Sequence, residues 1–465
     1  MEGLEATEKP FSELERTWRI DAEFFQRRYV HLAERLAKLQ CANVTSVANV
    51  SDGNHFSISD SFVENGIPYY RGQDAVGHFF IEQSTPNTIT REAFDRPFMK
   101  RSYLQQGDVL LSIIGTVGET SLVKTNQEAT CSCKLAILRP RNIAPAYLAA
   151  YLSSPVGQSL AERWKRGTVQ TGLLLEDMDQ IFVARFPTAF EKTVVNAVDR
   201  AYAALEASRN LLQQAEQTLL HALGLDTWAP PEVLSYVRSS REAFAAERLD
   251  AEYQHPKYQT LFNEMSSRFK LAKLFSLGNV TKGVTVKYFD DGTVPIIRSG
   301  DLKNIDSDVG LLRTLPTEPI FFLEKGDILI SSIGFGSIGK VQVFDIDKNI
   351  GTVGEVTVIR QKVLNPYYVA AFLRSTAGQL QIERHITGAT GQLHLYPRDV
   401  ANFWIPVLPN DEQVTFEEMA RQARLERQRA AQFLDASKRA VEIAIDDSEA
   451  AALDWLQTVY MPSEL

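Results

Sequence analysis

The chain has 465 residues, 44% of them hydrophobic and 23% charged, a balance that belongs to a folded protein and excludes wholesale disorder. At about 150 residues per domain it holds two to four units. No apolar run reaches the roughly 18 residues of a membrane span. The acidic start Met1-Glu2-Gly3-Leu4-Glu5 lacks a secretory pattern, and Cys41, Cys131 and Cys133 make neither a disulfide framework nor a zinc set. A cytoplasmic location follows as the expectation.

In chain order, the first distinctive segment is Arg19-Ile20-Asp21-Ala22-Glu23-Phe24, and it returns as Arg248-Leu249-Asp250-Ala251-Glu252-Tyr253, 229 residues later. Pro68-Tyr69-Tyr70-Arg71 returns as Pro295-Ile296-Ile297-Arg298 at an offset of 227. Gly107-Asp108-Val109-Leu110-Leu111-Ser112 returns as Gly326-Asp327-Ile328-Leu329-Ile330-Ser331 at 219, within an apolar, β-branched strand expected at Gly107–Ile114 or Gly326–Ile333. A glycine-rich turn and a second strand follow each, at Thr120–Val123 or Lys340–Phe344. Another strand comes next, at 136–138 or Val356–Ile359. A helix then opens at Pro145 or at Asn365-Pro366, proline standing at the first helical position. It is expected to run unbroken through Glu162-Arg163 or Glu383-Arg384. Tyr147–Leu152 matches Tyr368–Leu373, and Gly157-Gln158 matches Gly378-Gln379, both at 221. A polar Gly/Thr/Gln loop follows at 165–171 or 387–392, then a closing edge strand ending at Pro187 or Pro409.

Each copy ends in a long helix. Its apolar or small positions are Val194, Val198, Ala201, Leu205, Ser208, Leu212, Ala215 and Leu219 in the first copy. In the second they are Phe416, Ala420, Ala423, Arg427, Ala430, Leu434, Ser437 and Val441, at a constant offset of 222. Steps alternating four and three make a heptad seam, so the two helices are expected to pack on each other. A pseudo-twofold relation between the copies makes them antiparallel. About 30 residues of helix span roughly 45 Å.

The expected fold is therefore mixed α/β: two similar α+β lobes separated by a long antiparallel two-helix coiled coil. The domain boundaries follow as 1–187 for the first lobe, 188–223 for its long helix, 224–245 for a linker, 246–409 for the second lobe, 410–447 for its long helix and 448–465 for a tail. The net charge of −9 divides over 1–190, 191–235, 236–410 and 411–465 as −2, −3, +2 and −6. Helices and tail carry the acidity, which suits a protein partner. The near-neutral lobes leave DNA open.

Three motifs mislead. Gly334-Phe335-Gly336-Ser337-Ile338-Gly339 fits the dinucleotide fingerprint but runs on into an alternating strand, so pyrophosphate would find no helix N-terminus. With Lys340 it also fits a phosphate loop, but Val341 stands where a magnesium-binding Ser or Thr is needed. A hairpin turn, its glycines supplying positive φ, accounts for both. Asn365-Pro366-Tyr367-Tyr368 approaches the Asn-Pro-Pro-Tyr signature of amino-group methyltransferases but lacks one proline. The cysteines and seven histidines show no metal spacing. No catalytic residues and no bound cofactor are assigned.

The doubled, ordered set resembles the specificity subunit of type I restriction–modification systems. The carriers are Arg-(Ile/Leu)-Asp-Ala-Glu-aromatic, Pro-x-x-Arg before Asp74 or Asp301, and Gly-Asp-(Val/Ile)-Leu-x-Ser-x-Ile-Gly, with the polar loop and long helix after them. The resemblance implies two target-recognition domains, each reading one half of a split DNA site, and paired helices that act as a ruler. It implies two methyltransferase subunits carrying S-adenosylmethionine and the adenine chemistry, and restriction subunits using ATP and magnesium. A related defence scaffold without methylation is the alternative.

Candidate DNA contacts are loop residues paired between the copies, since Lys and Arg bind phosphate while Arg, Lys, Asn, Gln and His reach base edges. They are Arg71 with Arg298, Gln73 with Lys303, Asn54 and His55 with Lys282 and Lys287, and Lys165, Arg166 and Gln170 with His385, Thr387 and Gln392. Thr116 and Lys340 flank the glycine turn, whose amides are expected to cradle a phosphate. Val194, Val198, Leu205, Leu212, Leu219, Phe416, Ala420, Leu434 and Val441 are the expected spacer and partner-helix positions.

Overall fold

The computed structural model describes residues 5–8, 19–167, 171–303, 305, 308–334, 336–388 and 393–460, with the side chains of Lys303 and Tyr460 left aside. It falls into two compact units: Met1–Leu205 with Arg429–Leu465, and Glu206–Gln428.

In the first unit the central sheet is antiparallel, in the order Ala48–Asp52, Leu135–Pro140, Val109–Ser112, Thr120–Leu122. The second unit repeats it with Gly278–Lys282, Val356–Gln361, Ile328–Ser331 and Val341–Val343. The continuous apolar runs are explained by what covers each face. Side chains alternate across a strand, so Val109 and Leu111 join one core while Leu110 joins another. In the second unit Ile328 and Ile330 separate from Leu329 in the same way. Each such side chain contributes about 1.5–3 kcal/mol on burial.

A smaller sheet lies beside each central one. In the first unit its order is Phe62–Val63, Asn87–Ile89, Ile67–Tyr70, Thr130–Cys131; in the second it is Leu312–Thr314, Val294–Ile297, Gly351–Thr352, Phe321–Phe322. Three strands are shared, and the fourth is a different segment of the repeat on the opposite edge. A two-stranded ribbon closes each unit, Cys41–Asn43 with Phe182–Ala184 and Leu271–Lys273 with Trp404–Pro406.

The single helix expected after Pro145 is two helices, Pro145–Ser153 and Pro155–Trp164; its counterpart is Pro366–Arg374 and Thr376–His385. The break is chemical. Ser154 and Ser375 leave the helical conformation, and each hydroxyl accepts the amide of the glycine three residues on. Gly157 and Gly378 sit so close to the preceding turn that a Cβ would collide with the backbone of Leu152 or Phe372. Gln158 Nε2 then donates to the carbonyls of Gly118 (2.6 Å) and Leu152 (2.9 Å), and Gln379 to those of Gly339 (3.1 Å) and Leu373 (2.8 Å). The repeated Gly-Gln pair is therefore a joint between helix pair and glycine turn.

The long helices are Thr188–Leu223 and Asn410–Asp446. At 1.5 Å per residue each runs about 55 Å. In the first unit Val194, Val198 and Ala201 share a core with Ala430, Ala440 and Val441, and Leu205 and Leu434 pack against it. In the second, Ala215 and Leu219 share a core with Phe416. The start of one helix thus meets the end of the other in both units, the antiparallel pairing the seam required. Ala420 and Leu212 are half-buried. The linear division made each long helix a separate segment, whereas each compact unit takes in half of both. Apolar burial, not chain order, sets the unit. The tail contains a helix, Glu449–Tyr460, whose Ala452 and Leu456 are buried in the first unit's core.

Ion pairs bind each lobe to its own helix at equivalent positions with the charges exchanged. Lys124 Nζ meets Asp199 Oδ1 at 2.7 Å. At the positions 221 and 222 residues later, Asp345 Oδ2 meets Arg421 Nη1 at 2.8 Å. Among the described residues no helix is long and apolar enough to cross a membrane.

Candidate nucleic-acid interface

The opening motif of each repeat is a clamp. Arg19 forks onto Asp21 (2.9 and 2.5 Å) and Arg248 onto Asp250 (2.6 and 2.7 Å). That geometry holds Arg19 over Phe24 at 4.6 Å and Arg248 over Tyr253 at 4.8 Å. Arg163 and Arg384, from the second helix of each pair, lie over the same rings at 4.2 and 4.5 Å. Each ring thus meets two guanidinium groups, a favourable cation–π arrangement that is strongest at the fully buried Phe24. The ion pair lowers the pKa of Asp21 and Asp250, led by the hydrogen bond from the arginine. The motif fastens the start of each repeat to the mouth of its polar loop.

Arg71 and Arg298 stand at the end of a strand of the smaller sheet. Asp74 Oδ2 accepts the Arg71 amide at 2.7 Å and lies 3.4 Å from Nε. Arg298 is held more fully, with its amide and Nε on Asp301 Oδ2 (2.9 and 3.0 Å) and Nη2 on Oδ1 (3.1 Å). That hydrogen bond raises the pKa of Arg298. The Pro-x-x-Arg and Asp elements thus form a preset arginine on a short acidic brace. In the first unit Arg71, Gln73, Thr116 and Lys134 line one cleft of about 480 Å³, with Phe56 and Tyr69 on its walls.

The glycine turn is a hairpin turn in both units, with positive φ at Gly115, Gly118, Gly334, Gly336 and Gly339. The expected phosphate cradle does not hold. The amides of Gly115, Val117 and Gly118, and of Gly334, Ser337, Ile338, Gly339 and Lys340, already donate to carbonyls. The turn instead docks onto the polar loop, through Gly115 N to Thr171 O (3.1 Å) and Gly334 N to Leu393 O (3.3 Å).

Other expected contacts divide. Gln73 and Thr116 are exposed beside Arg71, and Lys282 and Lys287 are exposed near the start of the second lobe. Lys165 is half-buried, its Nζ 3.9 Å from Glu162, and Lys340 is half-buried. Asn54 is a correction. It is 3% exposed, and its amide group spans the backbone of Phe56 at 2.7 and 3.0 Å, so it shapes a turn and is not presented to DNA. His55 is exposed but tied to Asp52 at 2.6 Å. Arg166 is spent on Asp177, 2.6 Å away and 3% exposed. His385 is also a correction. It packs edge-on against Tyr253 and donates from Nδ1 to the Gln381 carbonyl (2.8 Å), and burial lowers its pKa. Thr387 closes the base of the polar loop on His394. His385 and Thr387 line a cleft of about 580 Å³ around Tyr253, to which neither Arg298, Lys282, Lys287 nor Lys340 contributes. Gln170 and Gln392 lie outside the described residues, as does the side chain of Lys303.

Two residues escaped the sequence reading. Lys134 and Glu355 occupy the same place in the two units and are both exposed. Aligning the repeats through the strand turn at an offset of 221 would have paired them.

Residues 266–421 match the family described as the type I restriction modification DNA specificity domain. The type I restriction enzyme EcoBI specificity subunit of Escherichia coli is 26% identical over 106 residues, which is 22% of this chain and 22% of that protein. The match therefore spans about a fifth of the length of this curated relative. The type I restriction–modification S subunit from M. genitalium aligns over 90% of this chain and 95% of its own, with 14% identity and a TM-score of 0.36. The HsdS subunit of Thermoanaerobacter tengcongensis aligns over 89% and 97%, with 14% identity and a TM-score of 0.28. The matched segment carries the second lobe and the start of its long helix, and the first lobe repeats that lobe's strands, clamp and braced arginine.

Proposed function

We propose that this chain is the DNA-recognition subunit of a type I restriction–modification complex and itself performs no chemistry. Two diverged versions of one lobe suit a split DNA site, each lobe reading one half. The single observation that carries this reading is the braced arginine, Arg71 on Asp74 and Arg298 on Asp301, kept in both lobes while the charges around it differ. A guanidinium held in a fixed fork is suited to a guanine edge or a phosphate.

The paired long helices are the proposed platform for two methyltransferase subunits and for restriction subunits. S-adenosylmethionine, ATP and magnesium would be bound by those subunits. The complex would act in the cytoplasm and modify adenine at N6. Among the described residues no cluster of three or more His, Cys, Asp or Glu is placed to hold a metal, and the reading assigns none to this chain.

The test is to map methylated adenines in a host with and without this chain, its partner genes kept intact. A split motif present only with the chain is expected. Methylation that persists unchanged without it refutes the proposal. Co-purification without any methyltransferase, with no change in methylation, would favour the related defence scaffold.

A further inference from the structure

The turns beside the two braced arginines share a backbone and carry opposite charges. In the first unit the turn before strand Leu135–Pro140 is Cys133-Lys134; in the second, the turn before Val356–Gln361 is Gly354-Glu355. The two positions are held identically: Ile113 N donates to Lys134 O at 2.9 Å, and Ser332 N donates to Glu355 O at 2.9 Å. Each lies beside its braced arginine. Lys134 shares a cleft with Arg71 and Gln73. Ser299, next to Arg298, points its hydroxyl at the Glu355 carbonyl, 3.4 Å away. Both side chains are exposed, so no packing demand chooses between them.

The exchange inverts hydrogen-bonding character at a fixed place. Lysine only donates, and an ionised glutamate only accepts. In the major groove guanine presents the acceptors O6 and N7, whereas cytosine presents the N4 amino group as a donor. A carboxylate on a DNA-facing rim is also repelled by phosphate, and a base amino group is the partner that offsets this. Resting on the DNA-recognition function proposed above, we propose that Lys134 and Glu355 are equivalent base-reading positions of the two lobes. Lys134 addresses a guanine edge in one half-site, and Glu355 addresses a cytosine amino group in the other.

The experiment selects bound duplexes from a randomised pool, using the full chain with the methyltransferase chains that purify with it. Glu355→Lys is expected to change the favoured base at one position of one half-site from cytosine to guanine, by about tenfold or more. Lys134→Glu is expected to make the reverse change in the other half-site alone. Glu355→Gln, which keeps the side-chain length, and Lys134→Gln, which is uncharged and one atom shorter, are expected to weaken the same preferences, and they serve if a charge reversal impairs folding. Wild-type motifs in all four variants overturn the assignment. So does a uniform loss of binding with a shallower salt dependence and no base change, which marks a phosphate contact. If the unmodified chain selects no split motif, the DNA-recognition reading itself fails, separately from this assignment.

Discussion

Asp345 carries the attachment of the second lobe to its long helix, and Asp345→Asn should expose what that attachment contributes. The carboxylate is 7% exposed. Tyr367 donates its hydroxyl to Oδ2 at 2.5 Å, Arg421 meets Oδ2 at 2.8 Å and Arg424 at 3.2 Å, and Lys325 meets Oδ1 at 3.2 Å. Removing one member of a buried pair costs about 3–5 kcal/mol because charge is left uncompensated. Here Lys325 and Arg421 are 60% and 45% exposed, so water recovers most of their loss. What remains is the Tyr367 bond to an ionised acceptor and the more enclosed Arg424, together about 2–3 kcal/mol. For a unit of this size that lowers Tm by about 5–10 °C. Urea unfolding at neutral pH should show the midpoint falling with the slope unchanged. A change below about 0.5 kcal/mol refutes the argument.

The same site gives a pH signature. Burial pushes the Asp345 carboxyl up, but the Tyr367 hydrogen bond, Lys325 and Arg421 outweigh it and hold its pKa below the ordinary 3.8. A depressed folded pKa means stabilisation that is complete above the unfolded value and lost as pH falls from 3.8 through the folded value. Wild-type stability should therefore fall more steeply than that of Asp345→Asn below about pH 4.

The exchanged pair in the first unit can be read by a double-mutant cycle. Lys124→Asp is expected to cost about 1 kcal/mol, and adding Asp199→Lys to restore most of it; equal losses in single and double variants would refute pairing. Arg298→Ala should weaken cognate DNA binding or relax one base of one half-site, by about 1–3 kcal/mol, in a titration against cognate and mismatched duplexes. Unchanged binding to both removes Arg298 from the interface. Ala201→Leu, placed where the paired helices admit only a small side chain, should cost about 1–3 kcal/mol in thermal unfolding, and a neutral result would show the seam to be looser than its burial indicates.

Much of the architecture was legible in the sequence because it is written twice. Matching Arg19–Phe24 against Arg248–Tyr253 and Gly107–Ser112 against Gly326–Ser331 located the lobes, and the four-three steps from Val194 to Leu219 identified the buried seam. These patterns are local and periodic, so burial imposes them directly on residue choice. The partners of polar side chains were not legible. Asn54 read as a surface donor and Lys134 was passed over, yet Asn54 spans its own turn and Lys134 stands on the cleft rim. The break at Ser154 does carry a local signal, a serine N-cap followed by Pro155 at the first helical position, which the expectation of one continuous helix passed over, whereas the compact units cut across chain order at Leu205 and Gln428. A side chain's free hydrogen-bonding capacity depends on which distant groups folding brings within 3 Å, and one-dimensional order does not carry that distance. Periodicity determined the repeated framework; only tertiary packing decided which charges it uses up and which it leaves for a partner.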